Sequence, residues 1–493
     1  MSLIKTLAGE TAVYGLSFIV GRVLNWIVLG LYLTHRLDTF EYGLFNEMYF
    51  YVALALILLV FRLETTSFRY ARQEGEASVF GIAFWHVATL GTVLLAFVLW
   101  WAPTLSTVLG YGPDASTYLR LLGWIVWLDA LMAIPFARLR YRGKALRFAV
   151  LKIAHILIHT ALVLLFFEIP WSEILSPRHV LAQWEARPLI GVFGANLVAS
   201  AVVTVVMLRD MPLVRRASMA LWQKMMRYAA PLVWVALAGV LNQYAYTVLI
   251  KYGLGGDIAS NVAAMGVYSA AFKLSLLLAL FTTAFNYAAE PFFFRQMHRQ
   301  DRTEIYADVA RAYAIAATAV ITGLLFTMDV LQYLLGSQYR QGLFLAPVLL
   351  GAFYFLGLYY NFSVWYKITD RTHYGAIIAT VGVAITFGMG AWWIPRIGMA
   401  GAAWAALACY SAMAALAWWW GRRYLAIPYA VRRFVLWLLA SYALYYLWQE
   451  MLRPLVGASS TADVLLRIGC LALFAFALWR IEGPWLRRAL RRT

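Results

Sequence analysis

Charge and cysteine are both scarce in this sequence. Asp, Glu, Lys and Arg make up 13% of its 493 residues, about half the share found in soluble globular chains. The two cysteines, Cys409 and Cys470, each fall inside an apolar stretch, which excludes a disulfide framework and a CxxC metal site. Long polar connections are also missing. The largest outer one, around residues 169–186, carries Pro170, Trp171, Pro177 and His179 and is too short to be a catalytic domain. What is abundant is apolar side chain, at 63% of the residues. A soluble fold of this length cannot cover so much apolar surface with so little charge. The chain is therefore expected to be an all-α polytopic membrane protein.

Crossing the hydrocarbon core takes ~20 apolar residues as helix, because every backbone polar group must be paired within the segment. Fourteen such runs are legible, near 11–33, 48–68, 79–101, 116–137, 147–168, 187–208, 228–250, 262–290, 306–328, 343–365, 374–394, 400–420, 431–449 and 462–481. The basic residues test this division independently. With a cytoplasmic N-terminus, 27 Lys and Arg fall in inner segments and 7 in outer ones, as the positive-inside rule requires. The net charge of +18 is thereby explained as an orientation signal, and no nucleic-acid partner is expected. After Lys5 the apolar stretch shows no small-residue cleavage site, so the first helix is expected to stay.

An internal repeat is present. Val23-Leu24-Asn25 recurs as Val240-Leu241-Asn242, and Gly43 to Gln73 matches Gly266 to Gln296 at a constant offset of 223. The pairs include Gly43/Gly266, Phe45/Tyr268, Tyr49/Phe272 and Arg72/Arg295. Chance matching between aromatic-rich apolar stretches is the competing reading. The repeat predicts two parallel, pseudo-symmetric six-helix lobes, helices one to six in 1–215 and seven to twelve in 216–425. Helices thirteen and fourteen, with a basic cytoplasmic tail, occupy 426–493.

Ionisable groups inside a bilayer are costly and normally face a cavity or a partner. Lys152, Arg311, Arg120 and Arg467 lie about one turn from a membrane face, where they can snorkel to headgroups. Arg62 is intermediate, with Glu64 nearby as a local partner. Arg22 and Lys273 lie about eleven residues into spans one and eight, near the midplane. Asp129 is the one acid of comparable depth in this reading, so the buried charge is net positive and suits an anion. The alternative is that Asp129 neutralises one of the two cations. Asn25, three residues after Arg22, shares its helix face. Asn25, Asn242, Asn286 and Asn361 can hydrogen-bond sugar hydroxyls or serve as helix-to-helix glue. His155 and His159 share one face of span five, but no third ligand completes a metal motif. Proton relay or cavity lining fits them better, and no cofactor or metal is expected. The 21 Trp, 30 Tyr and 29 Phe form interfacial belts or line a path for carbohydrate.

The opening stretch Leu7-Ala8-Gly9-Glu10-Thr11-Ala12-Val13-Tyr14-Gly15-Leu16-Ser17, with Gly21-Arg22 and Asn25, carries a resemblance. So do Glu41-Tyr42-Gly43 and Leu63-Glu64-Thr65-Thr66-Ser67-Phe68-Arg69-Tyr70. Together they resemble the polysaccharide and lipopolysaccharide biosynthesis flippases of the multidrug/oligosaccharidyl-lipid/polysaccharide (MOP) exporter superfamily. The local match covers the first seventy-five or so residues, and the arrangement of spans extends it. The resemblance implies a MATE-like fold and a transporter rather than an enzyme. It implies movement of an isoprenoid-diphosphate-linked oligosaccharide, such as an O-antigen unit, to the outer leaflet of the bacterial inner membrane by alternating access. Glycan polymerases and glycosyltransferases of the same pathway are the implied protein partners. Arg22 matches by position a cavity arginine of the related lipid II flippases, while Lys273 stands where those have a second arginine. Arg22, Lys273, Asn25, Asn242 and Arg62 are thus the expected substrate-binding residues, and Asp129, Glu64, His155 and His159 the candidates for ion coupling. A multidrug or organic-cation antiporter of the same superfamily is the nearest competing function. A membrane polymerase or ligase, or a non-transporting scaffold, belongs to a different class.

Overall fold

The structure, a computed structural model, describes residues 21, 23–112, 115–174, 184–185, 187–210, 218–457 and 460–492. Arg22, most of span one, the stretch Leu7 to Ser17, and Pro177 and His179 lie outside the described residues. Among the described residues every regular element is helical, as the hydropathy pattern requires. Among the described residues twelve helices are long and apolar enough to cross a membrane, and the chain is a multi-pass membrane protein. Of the other two expected spans, the described part of the first is the short apolar helix Val23–His35. The thirteenth is a 17-residue helix, Val431–Leu447, followed by a π-helical turn, Trp448–Leu452.

The chain divides into two compact units, Met1–Ser269 and Ala270–Thr493. The first contains α1 (Thr39–Val60), α2 (Leu63–Glu74), α3 (Glu76–Val108), α4 (Ser116–Tyr141), α5 (Ala145–Glu168), α6 (Pro188–Met207), α7 (Met219–Tyr244) and α8 (Tyr246–Gly253). The long helix α9 (Ile258–Gln296) begins in it. Here α4 packs against α3 and α6, α5 against α6, and α7 along α1 and α2. The second unit contains α10 (Arg302–Phe326), α11 (Ala346–Phe362), α12 (His373–Ile397), α13 (Ala400–Tyr424), α14 (Val431–Leu447) and α15 (Thr461–Arg492). There α13 packs on α11 and α12, and α10 on α11, α14 and α15.

Local chemistry explains where α1 starts and stops. Asp38 accepts from the Glu41 N–H at 2.7 Å, and the Glu41 carboxylate accepts from the Asp38 N–H at 3.1 Å. This reciprocal capping box satisfies donors that the first helical turn leaves open. At the other end Phe61 and Arg62 both adopt left-handed backbone conformations, at φ 49° and 54°. Two such residues in succession, neither of them glycine, cost on the order of 1–3 kcal/mol each. The break aims Arg62 away from the axis of α1.

The repeat-related glycines meet in the first unit. A Cβ on Gly43 would overlap the Val262 carbonyl of α9, and one on Gly266 would overlap the Thr39 carbonyl of α1. Both cysteines are free and buried.

Three embedded charges are anchored differently from the snorkelling expected of them. Arg467 pairs with Asp329 and Asp463, each at 2.5 Å. Arg311 pairs with Glu482, which also accepts from the Trp437 indole at 2.8 Å. Lys152 faces a cavity. Asp463 is a local partner, four residues before Arg467 on the same helix, but Asp329 and Glu482 lie 138 and 171 residues from their arginines, beyond any local spacing rule.

Candidate functional site

A cavity of ≈ 580 Å³ opens within the first unit. Its wall is built by two helical stripes. On α4, Asp129, Ala133, Phe136 and Arg140 recur every three or four residues; on α5, Phe148, Lys152, His155 and Ile156 do the same. Such spacing stacks side chains on one helix face. The C-terminal turn of α1 adds Leu56, Ile57 and Val60, the left-handed break adds Arg62, and α2 adds Glu64. Gly21 and Asn25 complete the lining.

Arg140 lies 3.4 Å from the Glu64 carboxylate, with its guanidinium over the rings of Phe68 and Phe148 at 5.3 and 5.9 Å. Glu64 thus takes Arg140, where Arg62 was the expected partner. The Lys152 ammonium sits 4.3 Å from the centre of the Phe136 ring. Deeper in, Asp129 accepts from the Ser200 hydroxyl at 2.7 Å, and the same oxygen lies 3.0 Å from His155 Nε2. With the Ser200 hydroxyl donating its proton to Asp129, that oxygen accepts from His155, so the three residues form a directed chain from α5 through α6 to α4. This partner for Asp129 is a hydroxyl, where the alternative reading of the sequence had it neutralise a deep cation.

Five of the nine expected site residues therefore share one cavity: Asn25, Arg62, Glu64, Asp129 and His155. His159 is buried one turn further along α5, bonded to the Val192 backbone, and is not part of the lining. Asn242 is buried on α7. Lys273 is half-buried on α9 in the second unit, and Arg22 lies outside the described residues. Sequence reasoning missed Arg140 and Lys152, counting the first as an orientation charge and the second as a snorkeller. The stripe at three- and four-residue spacing was the available signal. It also missed Glu47, a fully buried acid on α1. Among the described residues no group of three His, Cys, Asp or Glu is placed to hold a metal.

The fold is similar to those of solved transporters of the MOP superfamily. The lipid II flippase MurJ, in an inward closed conformation, superposes with a TM-score of 0.70 at 12% identity, over 95% of this chain and 98% of that one. An inward-facing multidrug resistance MATE transporter superposes at 0.57 with 15% identity, over 87% and 95%. A Pyrococcus furiosus MOP transporter, described by a binding pocket of reverse polarity, gives 0.52 at 14% identity, over 84% and 95%. Residues 37–342 match the family described as polysaccharide biosynthesis protein, and the chain belongs to that family. No protein of curated function matches the sequence.

Proposed function

We propose that this protein is an alternating-access flippase. It carries an isoprenoid-diphosphate-linked oligosaccharide from the cytoplasmic to the outer leaflet of a bacterial inner membrane, for cell-surface polysaccharide synthesis. The observation that carries this reading is the cation cluster Arg62, Arg140 and Lys152, set with Asn25 around one cavity, in a chain of the polysaccharide biosynthesis family. A diphosphate needs positive charge where hydration is lost, and Arg can grip it in bidentate fashion while Lys adds a mobile charge. A sugar headgroup cannot cross hydrocarbon bare, because each unpaired hydroxyl costs ~2–7 kcal/mol; a polar cavity replaces its water while the isoprenoid tail stays in lipid. Arg22, Lys273 and Asn242 would extend the polar path.

In this reading the chain crosses the membrane fourteen times with both ends cytoplasmic, in lobes 1–215 and 216–425 followed by a helix pair in 426–493. The Asp129–Ser200–His155 chain, with Glu64 in the same cavity and His159 one turn along α5 from His155, would couple transport to an ion or to the membrane potential.

The competing organic-cation antiporter draws support from Asp129, a buried carboxylate beside the cavity. One experiment separates the two. Purified protein in proteoliposomes is offered isoprenoid-diphosphate saccharides and, separately, organic cations. Movement of the saccharide lipid, abolished by Arg62→Ala with Lys152→Ala, supports the flippase. Movement of cations alone, abolished by Asp129→Asn, replaces it.

A further inference from the structure

The most completely buried charge pair in the first unit lies apart from the cavity. The Lys251 ammonium on α8 is 2.7 Å from the Glu47 carboxylate on α1, and neither side chain has any exposed surface. Glu47 also accepts from the Tyr51 hydroxyl at 2.5 Å and from the Tyr111 hydroxyl. Tyr111 reaches it from the α3–α4 turn, which folds back through Gly110 and Gly112 at φ 83° and 72°, a region that glycine enters without strain. The Tyr111 ring lies 3.9 Å below the Lys251 ammonium. Asn261, at the start of α9, donates to the carbonyls of Lys251 and Leu254 at 2.9 and 3.0 Å and so fixes the α8–α9 turn.

This cluster joins the first repeat copy to the stretch that leads into the second. Glu47 follows Gly43 in the first copy, and Lys251 lies fifteen residues before Gly266, where the second begins. It lies about 14 Å along α1 from Leu56, where the cavity lining begins, at ~1.5 Å per residue. The glycine contact lies one turn beyond it, toward the end of the membrane at which α1 starts. That end is the outer one in the topology favoured by the basic residues.

Stability alone does not account for such a pair. A buried ion pair recovers its desolvation cost only while the geometry is intact, and apolar replacement is often neutral or stabilising. An apolar seal would favour closure by the area it buries. An ion pair that becomes hydrated on opening fixes the register of the closed state and biases the equilibrium less. We propose that Glu47 and Lys251 form a reversible latch holding α1 against α8 at the outer end, and that their separation opens the cavity outward. The inference rests on the alternating-access reading, but its test needs no saccharide.

Ala133, in the cavity lining, is replaced by Cys in a chain lacking Cys409 and Cys470. An impermeant maleimide is added to vesicles from the side at which α1 begins. Breaking the latch with Glu47→Gln alone, which leaves the Lys251 ammonium buried and unpaired while the outer end is closed, is expected to raise the labelling rate at least tenfold. The reversed pair, Glu47→Lys with Lys251→Glu, is expected to stay within threefold of the parent. No acceleration in Glu47→Gln, in protein that still elutes as one species, overturns the latch. A second measurement avoids substitution at the pair. Lys251 of the unaltered chain is expected to be acylated from the same side by an impermeant amine reagent during glycan export, as read by peptide mass spectrometry. Complete protection of Lys251 while export proceeds overturns it equally. Should the protein move no saccharide lipid, the flippase reading fails while the maleimide result still decides the latch.

Discussion

Gly43 and Gly266 occupy equivalent places in the two sequence repeats and face each other in space. Gly43 abuts the carbonyl of Val262, four residues before Gly266, and Gly266 abuts the carbonyl of Thr39, four residues before Gly43. The contact is reciprocal, as a local two-fold relation between α1 and the start of α9 demands. A Cβ on Gly266 would also come within 3.0 Å of the Gly43 backbone nitrogen. Small residues permit this approach of two helix backbones within a membrane.

Alanine at either glycine is expected to destabilise the fold by about 1–3 kcal/mol, the usual cost of overpacking, because the obstructing atoms are backbone and cannot rotate away. The two substitutions should be non-additive, since one contact is lost twice. Gly239, with open space around its Cβ position, supplies the contrast: Gly239→Ala in α7 should be neutral or stabilising by up to ~1 kcal/mol. Thermal unfolding in detergent, read by size exclusion, measures all four; equal effects at Gly43 and Gly239 would contradict the packing argument.

Lys152→Ala and Arg140→Ala should each weaken binding of an isoprenoid diphosphate by roughly ten- to a hundredfold, the equivalent of losing one hydrogen bond to a charged group at ~1.5–3 kcal/mol. Arg140→Ala also frees Glu64, whose repulsion adds to the loss. Glu64→Gln with Arg140→Ala should therefore recover part of the binding, measured by titration of the lipid into nanodisc-embedded protein.

Ser200→Ala removes the hydroxyl between Asp129 and His155. If that chain carries coupling, Ser200→Ala and Asp129→Asn should both flatten the dependence of transport on an imposed ion gradient and change substrate affinity less than threefold. A loss of affinity with the gradient dependence intact would place Asp129 in the substrate path instead.

In the second unit, Glu482 receives the Arg311 guanidinium and the Trp437 indole, while Trp485 donates to Asp308 at 2.7 Å. These contacts fasten α15 to α10 and α14. Glu482→Ala strands a largely buried arginine and should cost about 3–5 kcal/mol. Arg311→Met with Glu482→Leu should restore most of that stability, again read by thermal unfolding.

Much of the architecture was legible because membrane helices obey a simple demand. Each must pair its own backbone and present apolar side chains to lipid, so the runs are visible one at a time, and the basic residues between them mark alternate faces. The repeat was legible for the same reason: Gly43 and Gly266 stand out against bulky neighbours. Asn25, Arg62, Glu64, Asp129 and His155, which line the cavity, were legible as candidates because each is polar where polarity is costly. The roles of Arg140 and Lys152 were not, since a cation near a membrane face reads alike whether it meets a headgroup or a cavity. Arg467 and Arg311 show the other outcome, each neutralised by an acid from a different helix.

The sequence by itself determined that the chain lies in lipid as helices, how its basic residues are distributed between them, and that two of its stretches match at a constant offset. Those properties depend on composition and on spacing along the chain. Only the tertiary structure decided which charges meet. It set Glu64 on Arg140, Asp129 on Ser200, Glu482 on Arg311, and Glu47 on Lys251 across more than two hundred residues of sequence. The strength of an ion pair depends on distance through space and on the water excluded around it, and neither quantity is written in the order of the residues.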